Sequence, residues 1–311
     1  MKYAVIGAGG VGGYFGARLA ADGNEVAFIA RGAHAEAMRR DGLRVTSPLG
    51  DLHIPEPEVP ADLADIGFAD IILFCVKLWD LEDAAARIKP LLSRDTAVIP
   101  VQNGVSAGDR LAALLGPRHV MGGVAQISAA IEGPGVIAHH TPLARLLFAE
   151  RDGAKSWRQE CMLSACMSAG IEAKVPDDIE RAIWEKFVLL APLAGCCCFY
   201  RAPVGEIAGD AERRARLAAM MEEAAALGRA KGVALRDDLA ARKLKQALEL
   251  APAVKPSMLL DLEHGRRLEL DWLTGEIVRL GQELGIATPL NAEAYERLKP
   301  HAVGKAQAHG R

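Results

Sequence analysis

Three glycines near the start of the chain have the spacing of a phosphate-binding turn. Gly7, Gly9 and Gly12 form the pattern G-x-G-x-x-G, directly after the apolar run Tyr3 to Ile6. In such a turn the first glycine permits the bend, the second lets a pyrophosphate approach, and the third allows close helix–strand packing. The following helix adds unpaired N–H groups and a favourable dipole. We predict a dinucleotide site, with an unliganded glycine turn as the alternative. Its loop comprises Gly7, Ala8, Gly9, Gly10, Val11 and Gly12.

The residue after the second predicted strand indicates which dinucleotide binds. Arg31 follows the strand Glu25 to Ala30, at a position where NAD enzymes usually carry Asp or Glu for the ribose 2′-hydroxyl. A cation there attracts the 2′-phosphate of NADP, which a carboxylate would repel. We therefore predict NADP (NADPH) as the cofactor, the alternative being that Arg31 is a solvated loop cation.

Polar side chains follow two further predicted strands. Lys77 comes directly after Ala69 to Val76, and Asn103 follows Ala97 to Val101. Ligands of doubly wound sheets bind outside the carboxyl ends of the strands, so both residues are candidates for the same crevice. A surface lysine and a turn asparagine before glycine are the alternatives.

A reductase needs a proton donor for the alkoxide that it forms. Lys186 lies in the apolar helical stretch W-E-K-F-V-L-L, where a lysine is costly unless it has a partner or a function. Burial would lower its pKa and favour proton release. The alternative is a lysine that extends its ammonium to solvent from a helix face. His139, His140 and His264 lack an accompanying Asp and are predicted to be surface or loop histidines.

Composition excludes several classes of protein. The 311 residues suit two domains, and 37 basic against 40 acidic residues give a net charge of −3, so neither nucleic acid nor a membrane surface is expected as a partner. The longest nearly apolar stretch, Phe187 to Tyr200, is short of the roughly 20 residues of a membrane span. The six cysteines have no zinc spacing, and no cleavable signal pattern is seen. We expect no metal and a reducing, cytoplasmic location.

The elements predict an α/β fold, in which an N-terminal Rossmann-type dinucleotide-binding domain is followed by an all-helical C-terminal domain. The predicted domains are residues 1–170 and 171–311, with the substrate bound between them. Residues 120–128 are expected to be extended and 136–149 to add a hairpin. The helical domain has apolar faces that could form a homodimer. Its predicted helices begin at Asp177 and span Glu206 to Lys231, Asp237 to Leu250, Leu268 to Leu284 and Pro289 to Leu298, before a frayed tail over residues 301–311.

Several motifs together resemble the ketopantoate reductase (2-dehydropantoate 2-reductase) family. They are G-A-G-G-V-G at 7–12, C-V-K at 75–77, Q-N-G at 102–104 and W-E-K-F at 184–187, followed by K-P-S-M-L-L-D-L-E-H-G-R-R-L-E-L-D at 255–271 and A-T-P-L-N at 287–291. Their order and spacing agree over nearly the full length. The resemblance implies NADPH-dependent reduction of a 2-oxo acid to a 2-hydroxy acid, namely ketopantoate to pantoate in pantothenate biosynthesis.

The resemblance also implies a role for individual residues. The loop 7–12 binds the pyrophosphate, and Arg31 and Lys77 lie toward the cofactor. Asn103 reaches the nicotinamide ribose and the substrate, and Lys186 protonates the new hydroxyl. The remaining implied contacts are Ala129 to the cofactor through its backbone, Glu269 to the nicotinamide ribose and to Lys186, and Ser257 to the substrate.

The sequence departs from the family four and eight residues after Lys186. Family members carry substrate-binding asparagines there, whereas this chain has Leu190 and Ala194. A site that loses two hydrogen-bonding groups changes its specificity strongly. The alternatives to ketopantoate are therefore a more apolar 2-oxo acid or a non-catalytic NADP-binding sensor. A 3-hydroxy acid or polyol-phosphate dehydrogenase would need a different arrangement of lysine and asparagine.

Overall fold

A computed structural model describes residues 1–305 and divides into two compact units. The first comprises Met1–Gln102 and Ser106–Ala182, and the second comprises Asn103–Val105 and the chain from Ile183 onward. The first unit mixes strands and helices, and the part of the second that the structure describes contains helices and turns without a strand. The predicted α/β fold class is confirmed.

The first unit is built on a parallel sheet of four strands in the order β2-β1-β5-β6. Buried parallel strands are covered on both faces, which explains the apolar runs in these segments. The exception is the polar start of the strand Leu92–Pro100, where Arg94 and Asp95 are exposed. The strands are β1 (Lys2–Ile6), β2 (Glu25–Ile29), β5 (Ala69–Phe74) and β6 (Leu92–Pro100). The helices of this unit are α1 (Gly10–Ala21), α2 (Gly32–Asp41), α3 (Leu81–Ile88), α4 (Ala107–Leu115) and α5 (Trp157–Ser168).

A second sheet completes this unit. It contains β3 (Leu43–Thr46), β4 (Leu52–Ile54), β7 (Gly122–Gly133), β8 (Val136–Ala149) and β9 (Glu172–Lys174). Its order is β4-β3-β8-β7, with β9 paired to β8. Residues 136–149 form a single strand, β8, and the hairpin predicted for this region is made by β8 with the extended segment β7. Strands β3, β4 and β9 were not predicted, because strands of three or four residues are too short to show a periodicity.

The second unit is helical and surrounds one long apolar helix. Helix α6 (Ile179–Tyr200) leads from the first unit into the second. The last predicted helix, Pro289 to Leu298, is confirmed with the same bounds. The predicted helix from Glu206 to Lys231 is instead two helices, because Asp210 interrupts it and caps the second by accepting a hydrogen bond from the N–H of Arg213. The remaining helices are α7 (Val204–Gly209), α8 (Ala211–Ala230), α9 (Leu239–Leu248), α10 (Ser257–Glu263), α11 (Thr274–Leu284) and α12 (Pro289–Leu298).

Helix α6 is the core helix of the second unit. Its 22 residues are long and apolar enough to cross a membrane by length and composition, but 67% of its most apolar window is buried inside the protein. Phe187 and the run Cys196–Cys198 are almost fully buried in the helical core, and these cysteines are free thiols. Gly195 permits close packing, since a Cβ there would lie 2.8 Å from Oγ1 of Thr274 in α11.

The predicted frayed tail is wrong for residues 301–305. The N–H of Leu268 donates to the carbonyl of Ala302 at 2.9 Å, and the N–H of Lys305 donates to the carbonyl of Gly265 at 2.8 Å. These backbone hydrogen bonds attach the segment to the chain just before α11, which is why it does not fray. The rest of that prediction, residues 306–311, lies outside the described residues.

Candidate functional site

The glycine turn is held by the ends of two strands of the parallel sheet. Gly7 has φ +99°, and a Cβ at this position would lie 2.9 Å from the backbone nitrogen of Val76, just beyond β5. The N–H groups of Gly7 and Ala8 donate to the carbonyl of Ile29, the last residue of β2, at 3.1 and 2.8 Å. The turn therefore needs a glycine at its first position and has a fixed place at the carboxyl edge of the sheet.

The other two motif glycines differ in their surroundings. A Cβ on Gly9 would meet no atom within 4 Å, whereas one on Gly12 would lie 2.8 Å from Cγ1 of Val5 and 3.0 Å from Cβ of Cys75. Gly9 is also the N-cap of α1 and provides no side-chain hydrogen bond to it. The turn thus leaves open space beside uncapped helical N–H groups, which is the arrangement that fits a pyrophosphate.

The other cofactor candidates of the first unit lie on elements beside this turn. Arg31 is the N-cap of α2 and is exposed, with its Nη1 3.4 Å from Oδ2 of Asp80. Lys77 follows β5 and is also exposed, and its Nζ lies 5.6 Å from the ring centroid of Trp79. Ala129 in β7 contacts the turn through its backbone, because a Cβ on Gly10 would collide with the Ala129 carbonyl.

In the second unit the structure brings Lys186 and Asn103 together. The ammonium Nζ of Lys186 donates a hydrogen bond to Oδ1 of Asn103 at 2.9 Å. Lys186 lies near the start of α6, and Asn103 belongs to the segment Asn103–Val105 that follows β6. Val105 packs against the helical core, so this short segment is anchored to the same unit as the lysine.

The surroundings of Lys186 make its ammonium a better acid. Burial lowers the pKa of Lys186 to about 8, while the negative charge of Glu269 acts to raise this pKa. Glu269 is itself buried, with 5% of its surface exposed. Desolvation disfavours the ammonium and a nearby carboxylate favours it, and here desolvation has the larger effect. The group can therefore give up a proton near neutral pH.

The residues that follow Lys186 on the same face of α6 are apolar. Leu190 and Ala194 lie four and eight residues later, which places them one and two turns along the helix. Leu190 is half-buried and Ala194 is buried. Ser257 begins α10 and is exposed, and within the described residues it makes no hydrogen bond to Lys186.

The histidine predictions need one correction. His139 is buried, although it was predicted to lie at the surface or in a loop. Its burial is compensated by two hydrogen bonds, from Nδ1 to Oγ of Ser47 at 2.9 Å and from Nε2 to the carbonyl of Leu143 at 3.2 Å. His140 and His264 are exposed. His34 was not predicted as a site residue, but it lies on the buried face of α2, three residues after Arg31, and is hydrogen-bonded to the carbonyl of Ala8 in the glycine turn.

Comparison with known proteins places this geometry in a family. The model of the family "Ketopantoate reductase PanE/ApbA" matches residues 3–153, and that of its C-terminal part matches residues 178–302. The 2-dehydropantoate 2-reductase of Mesorhizobium japonicum is 32% identical over 316 residues, covering 93% of this chain and 94% of that protein.

Solved structures agree over almost the whole chain. The 2-dehydropantoate 2-reductase from Geobacter metallireducens GS-15 is 30% identical with a TM-score of 0.90, covering 96% of this chain and 99% of that chain. A ternary structure of D-mandelate dehydrogenase with NADH and anilino(oxo)acetate has a TM-score of 0.87 over 97% of this chain and 98% of that chain. At 22% identity, this second likeness shows the fold alone.

The two glycines with opposite surroundings offer a matched pair of variants. Gly9→Val should fold like the wild type and lose dinucleotide binding, because its side chain fills the open space. Gly12→Val should lower the melting temperature, because its side chain has to displace atoms of β1. Thermal unfolding and dinucleotide titration of both purified variants test this. A Gly9→Val protein that binds dinucleotide as tightly as the wild type would show that this space is not the binding site.

Proposed function

The chain belongs to the ketopantoate reductase family, and from this premise we propose that it reduces a 2-oxo acid to a 2-hydroxy acid with NADPH. 2-Dehydropantoate is the first candidate substrate, which would place the reaction in pantothenate biosynthesis. The observation that carries the proposal is the half-buried Lys186, with a pKa of about 8 and its ammonium hydrogen-bonded to Asn103.

In this proposal the first unit holds the dinucleotide. The turn 7–12 and the N-terminus of α1 take the pyrophosphate, since they offer open space and uncapped N–H groups. Arg31 takes the 2′-phosphate, and Lys77 and the backbone of Ala129 add contacts beside the turn. When bound, the reduced nicotinamide supplies the hydride that the carbonyl carbon receives.

The second unit supplies the proton. Lys186 donates it from Nζ to the oxygen that was the carbonyl oxygen, and the side-chain amide of Asn103 keeps the ammonium in place meanwhile. Glu269 keeps enough of the lysine protonated by opposing the effect of burial on its pKa. A general acid whose pKa lies near the working pH combines a populated acid form with ready proton transfer.

A second candidate substrate follows from the apolar face of α6. Leu190 and Ala194 can offer no hydrogen bond to a substrate hydroxyl or carboxylate. A 2-oxo acid with an apolar substituent would lose no hydrogen bond by binding against these side chains. A hydroxylated 2-oxo acid would leave its hydroxyl without a hydrogen-bond partner, which costs binding free energy. In this proposal Ser257 is a remaining polar group for the carboxylate.

We extend the proposal to location and assembly. Six free thiols suit a reducing compartment such as the cytoplasm. The assembly that we propose is a homodimer formed through the helical unit. We propose neither a nucleic acid nor a membrane as a partner.

The substrate is tested by following NADPH oxidation with 2-dehydropantoate beside a series of 2-oxo acids with larger apolar substituents. Efficient turnover of 2-dehydropantoate would support the first candidate substrate. Turnover of the apolar acids alone would support the second. If Leu190 limits the use of hydroxylated substrates, Leu190→Asn should raise kcat/KM for 2-dehydropantoate about tenfold relative to an apolar acid. Tight NADPH binding without turnover of any 2-oxo acid would contradict the proposal and indicate a sensor.

The proton donor is tested through Lys186. Because reduction needs the ammonium form, the wild-type rate should decline as the pH rises through about 8. Lys186→Met should cut turnover on the order of 10²- to 10⁴-fold while NADPH binding is retained. Lys243→Met is a matched control, since Lys243 is another partly buried lysine whose pKa is lowered by burial. Unchanged turnover in Lys186→Met would remove this residue from the mechanism.

The preference for NADPH is tested through Arg31. Arg31→Glu should raise the NADPH Kd on the order of tenfold and affect NADH far less, because a carboxylate repels the 2′-phosphate. Arg40→Glu makes the same charge change at an exposed position of the same helix, beside Asp41, and should leave both affinities close to wild type. Equal losses for NADPH and NADH in Arg31→Glu would contradict the assigned role.

A further inference from the structure

We propose that His34 is a positioning residue of the dinucleotide site, because its imidazole fixes the orientation of the peptide that joins Ala8 to Gly9. This inference rests on the proposed function of the glycine turn. It assigns a binding role to a residue outside the turn, on helix α2.

The hydrogen bonds of His34 determine where its ring carries a proton. The N–H of Gly135 donates to Nδ1 at 3.0 Å, so Nδ1 acts as an acceptor. The ring proton must then lie on Nε2, which donates to the carbonyl of Ala8 at 3.0 Å. Burial lowers the pKa of His34 and outweighs hydrogen bonding to the backbone of Ala8 and of Gly133, which acts to raise this pKa, so the neutral form is favoured. The ring thus joins the glycine turn to the loop between β7 and β8.

Both groups that the ring joins are otherwise well anchored. The N–H of Ala8 is bonded to Ile29 at the end of β2, so with His34 both polar groups of this buried residue are satisfied. Gly135 has φ +74°, and a Cβ there would lie 3.3 Å from Cβ of Ala37 in α2, so its loop packs against the helix that carries His34. The imidazole therefore bridges two segments that are each held by other contacts.

The bond to Ala8 has a consequence for the next residue. In a trans peptide the carbonyl and the N–H point in opposite directions, and the described residues contain no cis peptide. A carbonyl of Ala8 that points at His34 therefore directs the N–H of Gly9 away from it. Gly9 also has open space beside it and is the N-cap of α1. His34 thus holds the first N–H of the proposed pyrophosphate site in one orientation.

Two conservative variants separate the two hydrogen bonds. In His34→Gln the amide nitrogen can replace Nε2 as the donor to Ala8. In His34→Asn the amide oxygen can replace Nδ1 as the acceptor for Gly135 but cannot reach Ala8. If the orientation of the Ala8–Gly9 peptide matters for binding, glutamine should restore affinity and asparagine should not. If His34 only stabilised the fold, the glutamine and asparagine variants would recover the same affinity for NADPH.

The experiment measures the NADPH Kd of the full-length protein by titration, with KM for dinucleotide and 2-oxo acid, kcat and melting temperature alongside. We expect His34→Ala and His34→Asn to raise the NADPH Kd about tenfold, with kcat at saturating NADPH within twofold of wild type. His34→Gln should return the Kd to within threefold. His139→Ala is the matched control, because His139 is also a buried histidine of the first unit, and its NADPH Kd should be unchanged.

A wild-type Kd in His34→Ala, or equal affinities in the Gln and Asn variants, would overturn the proposal. The comparison of the NADPH Kd between His34→Gln and His34→Asn tests the proposal even if His34→Ala does not fold. Nitrogen-15 NMR of the protein without dinucleotide gives an independent readout, since at neutral pH His34 should carry its proton on Nε2. The opposite tautomer or an imidazolium would also overturn the proposal. If the wild type binds neither NADPH nor NADH, the proposed function fails, and the role of His34 fails with it.

Discussion

The chemistry proposed for this chain depends on the cost of keeping an ammonium group in an apolar helix. Helix α6 supplies part of the core of the second unit, and burial of this helix desolvates Lys186. A lysine in water holds its proton too firmly to be an effective acid near neutral pH, and desolvation corrects this. The same burial would destabilise the helix without the bond to Asn103 and the charge of Glu269. The core of the unit and its reactive group therefore share one element.

The first unit has a different requirement in the proposed function. It has to leave backbone N–H groups uncapped at the start of α1, where an anion could bind. Gly9 provides the opening, and no side chain caps α1. A turn with so few side chains has little to hold it in place. Its stability comes from backbone bonds to β2 and from the buried imidazole of His34. Rigidity is supplied from outside the motif, so that the motif itself can stay open.

Family membership defines the class of reaction more closely than the substrate. In the proposed function, the glycine turn, Asn103, Lys186 and Glu269 act on the dinucleotide and the proton, which any reductase of 2-oxo acids needs. In the same proposal Leu190 and Ala194 face the rest of the substrate, and at these two positions the chain lacks the asparagines expected of the family.

The sequence by itself determined the features that depend on neighbours in the chain. The glycine spacing, the buried parallel strands, the β7–β8 hairpin, the helical second unit and the unusual position of Lys186 were all predictable, because local periodicity and side-chain type decide them. Only the tertiary structure decided the pairs that make up the sites. Lys186 and Asn103 are 83 residues apart, and His34 and Gly135 are 101 residues apart. It also decided that His139 is buried and that three very short strands pair. Such contacts depend on how distant segments pack together, and a local pattern carries no record of that packing.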